Sequence, residues 1–267
     1  MQIKLILLFS IFLNLNVYAS TNPFELKEFY ECSFCSIKIG IKAQSQTDSR
    51  GVILDPNAQV MPGIAGYFFN NQLEVLPTAI SYFHYIDEPN LRFRYRLYQV
   101  TDKSVIRLQN KNTDDYVHRP NSTEAQIRLE SFLGGNDENY IAEFDLSYAK
   151  DISAHWGDYL ELLFKFKLET YKLEKYKLTL EPNFYASVGW GTSSHNQYFY
   201  GPSASQDNIN NYAYGIWLAI PNRADRYYPI VLLKKFGVIG SQNSQSEYAK
   251  NHNDGVSLSF IYSTIIF

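Results

Sequence analysis

Few residues in this chain could do chemistry, and the histidines come first. There are five, His84, His118, His155, His195 and His252. A hydrolase built on a strand wall needs a serine or acidic nucleophile beside a histidine base on the same face. Ser153-Ala154-His155 has the alternate spacing that shares a strand face, but it falls in an expected turn. Gly191-Thr192-Ser193-Ser194-His195-Asn196 makes Ser and His direct neighbours, which a strand would point to opposite sides. No catalytic residue is assigned, and the chain is expected not to be an enzyme. A barrel hydrolase stays as the third-ranked reading.

Cys32 and Cys35 form a C-x-x-C pair. Zinc would need two more ligands, no second cysteine pair exists, and the nearest histidine is His84. A redox pair would sit in a thioredoxin-like βαβ context that the downstream sequence lacks. In an oxidising compartment a small local disulfide is the expected state. No metal or cofactor is expected.

Charged side chains recur at alternate positions. Arg92, Arg94 and Arg96 share one face of a run whose other face is Leu91, Phe93, Tyr95 and Leu97. With Lys165, Lys167 and Lys177 they could line an anion-favouring path. Pairing with Glu143, Asp145, Glu161 and Glu181 would instead plug a narrow lumen, and that is the preferred expectation. A net charge of −3 and the amphipathic arginine run argue against nucleic acid as a partner.

The elements that must position these residues begin after a leader. Met1–Lys4 is short and positive, Leu5–Leu13 is apolar, and Val17-Tyr18-Ala19 offers a cleavage site before Ser20. Residues 1–19 read as a secretory signal peptide and 20–35 as a periplasmic segment carrying the cysteines. Asn14 and Asn16 end the apolar run short of the ~20 residues a membrane helix needs. No later segment is long and apolar enough for one. Hydrophobic residues at 45%, against 19% charged, also rule out a disordered chain.

From residue 36 the sequence breaks into alternating runs of about 9 to 13 residues, divided by Asn, Asp, Gly, Ser and Pro. Leu160, Leu162, Phe164, Phe166 and Leu168 oppose Glu161, Lys165, Lys167 and Glu169. A soluble sandwich strand averages about five or six residues, while a tilted bilayer-crossing strand takes about 9 to 11. Aromatic clusters such as Tyr67-Phe68-Phe69, Tyr82-Phe83-His84-Tyr85, Tyr198-Phe199-Tyr200 and Tyr227-Tyr228 suit an interfacial girdle. Gly255–Phe267 suits a closing strand. The expected fold of 36–267 is an all-β antiparallel transmembrane β-barrel in the outer membrane of a Gram-negative bacterium. Runs are placed at 36–46, 58–69, 73–86, 91–100, 103–110, 140–149, 158–169, 175–190, 211–221, 227–239 and 255–267. Bacterial barrels are even-numbered, so 12 strands are expected, with 10 as the alternative. Thr123–Ser131 is either a helix in a long loop or the missing strand. Pro62, Pro182 and Pro229 fall within runs and blur their ends.

Asp151-Ile152-Ser153-Ala154-His155-Trp156-Gly157, then Val188-Gly189-Trp190-Gly191 and Asn196-Gln197-Tyr198-Phe199-Tyr200-Gly201, resemble the MltA-interacting protein (MipA/OmpV) family. Val60–Phe68, with Pro62 near its start, resembles that family's early strand. The resemblance implies an outer-membrane barrel in contact with lipid. It also implies a non-enzymatic scaffold joining a murein hydrolase to a peptidoglycan synthase. Other members are described as adhesins or porin-like proteins, so a small-solute channel is the alternative. The family has no established catalytic residues to carry over, and its pattern lacks the C-x-x-C.

Overall fold

The computed structural model describes residues 36–265, apart from 56, 70–71, 88–89, 101–104, 111–112, 119, 136–139, 177, 221–228 and 251–252. The expected signal peptide, Cys32, Cys35, Lys177 and the Tyr227-Tyr228 pair lie outside the described residues. The strands are β1 (Ser36–Gln44), β2 (Thr47–Ser49), β3 (Val52–Asp55), β4 (Gln59–Phe68), β5 (Leu73–Leu76), β6 (Ala79–Asp87), β7 (Leu91–Val100), β8 (Val105–Asn110) and β9 (Thr113–His118). They continue as β10 (Ser122–Leu133), β11 (Ala142–Asp151), β12 (Asp158–Lys167), β13 (Tyr171–Leu173), β14 (Leu178–Gly191), β15 (Asn208–Ala219), β16 (Ile230–Val238) and β17 (Asp254–Ile265). Helix α1 (Ser193–Tyr200) follows β14, and the single turn α2 (Ser241–Ser244) follows β16.

Twelve of these strands close an antiparallel ring in the order β1, β4, β5, β6, β7, β10, β11, β12, β14, β15, β16, β17, with β17 returning to β1. The count is that expected, but three runs behave differently. Residues 73–86 are two strands, because Pro77 and Thr78 turn the chain between β5 and β6. The described part of the run at 103–110 is no wall strand: residues 105–110 form β8, which among the described residues pairs only with β9, in a separate hairpin. Thr123–Ser131 is strand, the middle of β10, paired with β7 and β11 on either side.

Alternation then sorts the side chains, in the reverse of a soluble protein. Along β10, Glu124, Gln126, Glu130 and Phe132 are buried while Ile127 and Leu133 are exposed. Glu130 is 1% exposed and Leu162 on β12 is 51% exposed. Ile39, Ile64, Ile80, Phe144, Leu146, Ile216, Leu258 and Phe260 join Leu162 on the outside. An apolar outer belt with polar groups within is stable only with hydrocarbon around it, and closing the ring removes the free strand edge everywhere but beside β4.

The two rims differ. The chain enters β1 and leaves β17 at one rim, where the described connections include the tight turn after β4, closed by the Gln72 N–H donating to the Phe69 carbonyl. At the opposite rim the connections carry the β2–β3 hairpin, the β8–β9 hairpin, α1 and α2. The wall is also uneven. Among the described residues β5 meets β4 only at Gly66, Tyr67 and Phe68, so Val60–Ala65 is paired on its β1 side and has no described strand on the other. That placement lets Pro62 sit in a strand, as prolines do at edges.

Leu162→Arg, on the outward face of β12, is expected to destabilise the barrel by about 2–4 kcal/mol in lipid vesicles, the cost of a cation near the bilayer midplane. Equilibrium refolding checks it. A change within about 0.5 kcal/mol, normal for a water-facing site, would mean the belt does not face lipid.

Candidate functional site

Two polar clusters occupy the ring's interior. The first runs along the inner faces of β7, β10, β11 and β12. Register sets Arg92 opposite Glu130, Arg94 opposite Arg128, Glu130 opposite Asp145, and Glu143 opposite Lys165. Arg92 Nε is 2.5 Å from Glu130 Oε2 and Arg94 Nε is 3.1 Å from Glu130 Oε1. Arg128 reaches Asp145 at 3.4 Å and Glu161 at 3.7 Å, and Lys165 reaches Glu143 at 2.6 Å and Asp145 at 3.6 Å. Like charges directly opposite repel. Arg94 and Arg128 coexist because each has a different carboxylate. The Arg92 and Arg94 guanidiniums also cover the Phe83 ring, at 4.9 and 4.6 Å.

The remaining predicted lumen charges are placed less centrally. Arg96 lies over the Tyr98 ring at 4.8 Å, and Lys167 over Tyr140 at 4.2 Å. Glu181 is half-buried opposite Ala219, toward the rim where β1 begins. Sequence reading missed Glu130 and Arg128, whose alternation along β10 was the available signal. Glu130, Glu143 and Asp145 bring carboxylate oxygens within 4.8 Å of one another, but Arg92, Arg94, Arg128 and Lys165 already neutralise them.

The second cluster closes the long-loop mouth. Arg50, in the bend between β2 and β3, turns its guanidinium into the ring. Nη2 is 2.5 Å from Glu124 Oε2 and 3.4 Å from the Tyr98 hydroxyl, which itself donates to Glu124 at 2.5 Å. Nη1 lies 3.1 Å from His195 Nδ1, and the guanidinium stacks over Tyr159 at 4.1 Å and Phe199 at 4.4 Å. Above it Val52, Tyr198, Phe199, Tyr200, Ala204 and Ala249 form a small apolar core. Tyr198-Phe199-Tyr200 therefore belongs to a buried cap, not to an interfacial girdle.

Two of the segments that suggested a family resemblance, 151–157 and 196–201, meet in this cap. Asp151 Oδ2 accepts the backbone N–H groups of Ala154, His155 and Trp156, at 2.8, 2.6 and 2.8 Å, which fixes the turn 152–157. His155 then packs on Tyr198 at 4.4 Å and on His195 at 5.6 Å between ring centres. Gly157 permits this, since a Cβ there would stand 2.5 Å from the His195 backbone nitrogen. Asn196 ties α1 to the ring by donating to the carbonyls of Gly191 and Gln206, and it accepts from Asn210. Ser153 does not meet His155 as a nucleophile would: its hydroxyl accepts the Thr123 N–H at 2.7 Å and lies 3.4 Å from Asp151 Oδ1.

Glu124, His155 and His195 place ligand atoms within 4.8 Å of one another. The Arg50 cation occupies the space against two of the three. Burial, then the Arg50 charge, then His155 hold the His195 imidazole well below its ordinary pKa.

No protein-family model matches the chain, and no curated protein matches it. Among solved structures it is similar to the outer-membrane expressed OmpT of Vibrio cholerae, at 8% identity and a TM-score of 0.33, over 87% of this chain and 97% of that one. It is also similar to OccK11 (OpdR) of Pseudomonas aeruginosa, at 8% identity and a TM-score of 0.29, over 87% and 96%.

Glu130→Ala removes a buried carboxylate shared by two half-buried guanidiniums and is expected to cost about 3 kcal/mol. Lys150→Ala, at the exposed Lys150–Asp158 pair, should cost less than about 1 kcal/mol. Chemical denaturation in lipid vesicles compares the two, and equal effects would contradict a water-poor interior. His195 adds a pH dependence. The unfolded chain takes up a proton near about pH 6.5 that the folded cap refuses, so stability is full above that pH and declines below it. Thermal unfolding should therefore shift down from about pH 7 to about pH 5, and His195→Asn should flatten the shift. An unchanged slope in the variant would remove His195 from the account.

Proposed function

We propose that this chain is a non-enzymatic outer-membrane scaffold of the MipA/OmpV type, with a self-neutralised interior and a capped mouth. The long-loop rim faces outward, as long loops do in such barrels, and the rim where β1 begins faces the periplasm. The carrying observation is a β-arm at that inner rim. β14 extends past its pairing with β15, which begins at Glu181, and β13 pairs with this extension, Leu178–Leu180, while its other edge has no strand partner among the described residues. Tyr171 at 58%, Leu173 at 40% and Leu178 at 42% are exposed there. An uncovered apolar edge strand is a template for an incoming strand. The arm thus offers a cell-wall enzyme in the periplasm both backbone hydrogen bonds and side-chain contacts. The family resemblance supports a murein hydrolase and a peptidoglycan synthase as those partners.

The small-solute channel is the second reading, and one observation favours it. Opposite the charged wall the inner faces of β1, β4 and β17 carry Gly40, Gly63, Ser257 and Ser259, and a Cβ at Gly63 would meet nothing within 4 Å. Planar-bilayer recording separates the two. The scaffold predicts no steady unit current, whereas currents that change with Arg92, Arg94 and Arg96 would replace it with the channel. In the scaffold reading Leu173→Pro should abolish site-specific crosslinking of Tyr171-region probes to the murein hydrolase and peptidoglycan synthase while unboiled gel migration stays that of a folded barrel. Undiminished crosslinking would remove the arm from the proposal.

A further inference from the structure

The pocket around Arg50 is built more like a ligand site than like a surface ion pair. Its floor is Glu124, 1% exposed, with Oε2 engaged by Arg50 and Tyr98 while the buried Oε1 has no hydrogen-bond partner. Its walls are the Tyr159 and Phe199 rings, and His195 stacks between them at 4.9 and 4.6 Å. A carboxylate with flat aromatic faces selects a planar delocalised cation, which stacks and donates in a fork, over a compact ammonium.

The occupant arrives on a strained tether. Arg50 has φ +46° and Gly51 φ +84°, and the left-handed region is unfavourable for a residue that carries a side chain. Among the described residues the β2–β3 hairpin shares no strand pairing with the ring. Tyr200 holds it by donating to the Arg50 carbonyl at 3.0 Å, and Val52 packs beneath the cap. Arg50 ties it to the wall itself, through Tyr98 on β7, Glu124 on β10 and Tyr159 on β12.

We propose that Glu124, Tyr98, Tyr159, His195 and Phe199 form a guanidinium-binding cage that Arg50 fills in cis, and that this occupancy holds the β2–β3 hairpin shut over the lumen. Emptied, the cage takes a free guanidinium, such as the side chain of an arginine on another chain. The inference rests on the capped-mouth part of the reading above.

Hydrogen–deuterium exchange of the hairpin amides, measured on the full folded chain in detergent, tests it. Arg50→Ala should exchange at least about tenfold faster than wild type in the hairpin while β10 and β11 stay protected. Guanidinium at about 100 mM should restore protection to Arg50→Ala by mass action, while ammonium at equal ionic strength should not. The double variant Arg50→Ala/Glu124→Gln should not respond. An Arg50→Ala hairpin as slow as wild type, or equal rescue by ammonium, overturns the cage. If Arg50→Ala gives no heat-modifiable barrel, Arg50→Lys takes its place, and a hairpin as protected as wild type there overturns guanidinium selectivity. Unprotected hairpin amides in wild type would instead overturn the capped mouth.

Discussion

Hydrocarbon outside the ring fixes nearly everything inside it. A strand in lipid must give every backbone N–H and C=O to a neighbour, so the wall has to close, and closing it turns alternate side chains into a space of limited volume. Here that space receives arginines, lysines, glutamates and aspartates in quantity. Burying one such charge unpaired costs several kcal/mol, so the interior is arranged as carboxylates shared between cations: Glu130 between Arg92 and Arg94, Asp145 between Arg128 and Lys165. The inner wall is an electrostatic core, and the apolar contacts that stabilise a soluble protein have moved to its surface.

This inversion made much of the fold legible. Arg92-Phe93-Arg94-Tyr95-Arg96 and Leu160-Glu161-Leu162 state period two openly, and period two over about ten residues leaves few architectures. β10 was harder to read because Glu124, Ala125, Gln126, Arg128, Leu129 and Glu130 are all good helix formers. Pairing on both sides overrides that preference, and the even-numbered polar positions of the run carried the strand signal all along. The division of 73–86 was marked by Pro77, whose missing N–H suits a turn better than a central ladder.

The cap was much less legible, for a physical reason. Its residues lie far apart in sequence, on a hairpin, two strand-connecting turns and a helix, and no local spacing brings Arg50 to Glu124 or His155 to Tyr198. His195 looked inert beside Ser194, and its chemistry comes from Arg50 and two aromatic rings. Asp151–Gly157 and Asn196–Gly201 are separate in sequence and form one packed unit, with glycine required where a Cβ would strike the facing backbone.

A hoop yields at its thinnest join. Between β4 and β5 the join is three residue pairs long, Gly66 with Val75, Tyr67 with Glu74 and Phe68 with Leu73, while β14 and β15 share a seam from Glu181 to Gly191. When the hoop is first threaded into a bilayer, or later pulled apart, parting at that join sacrifices the fewest backbone bonds. The earliest breathing of the wall belongs there, beside Pro62 and the bare flank of β4, with the charge-stapled arc from β7 to β12 the last to come undone.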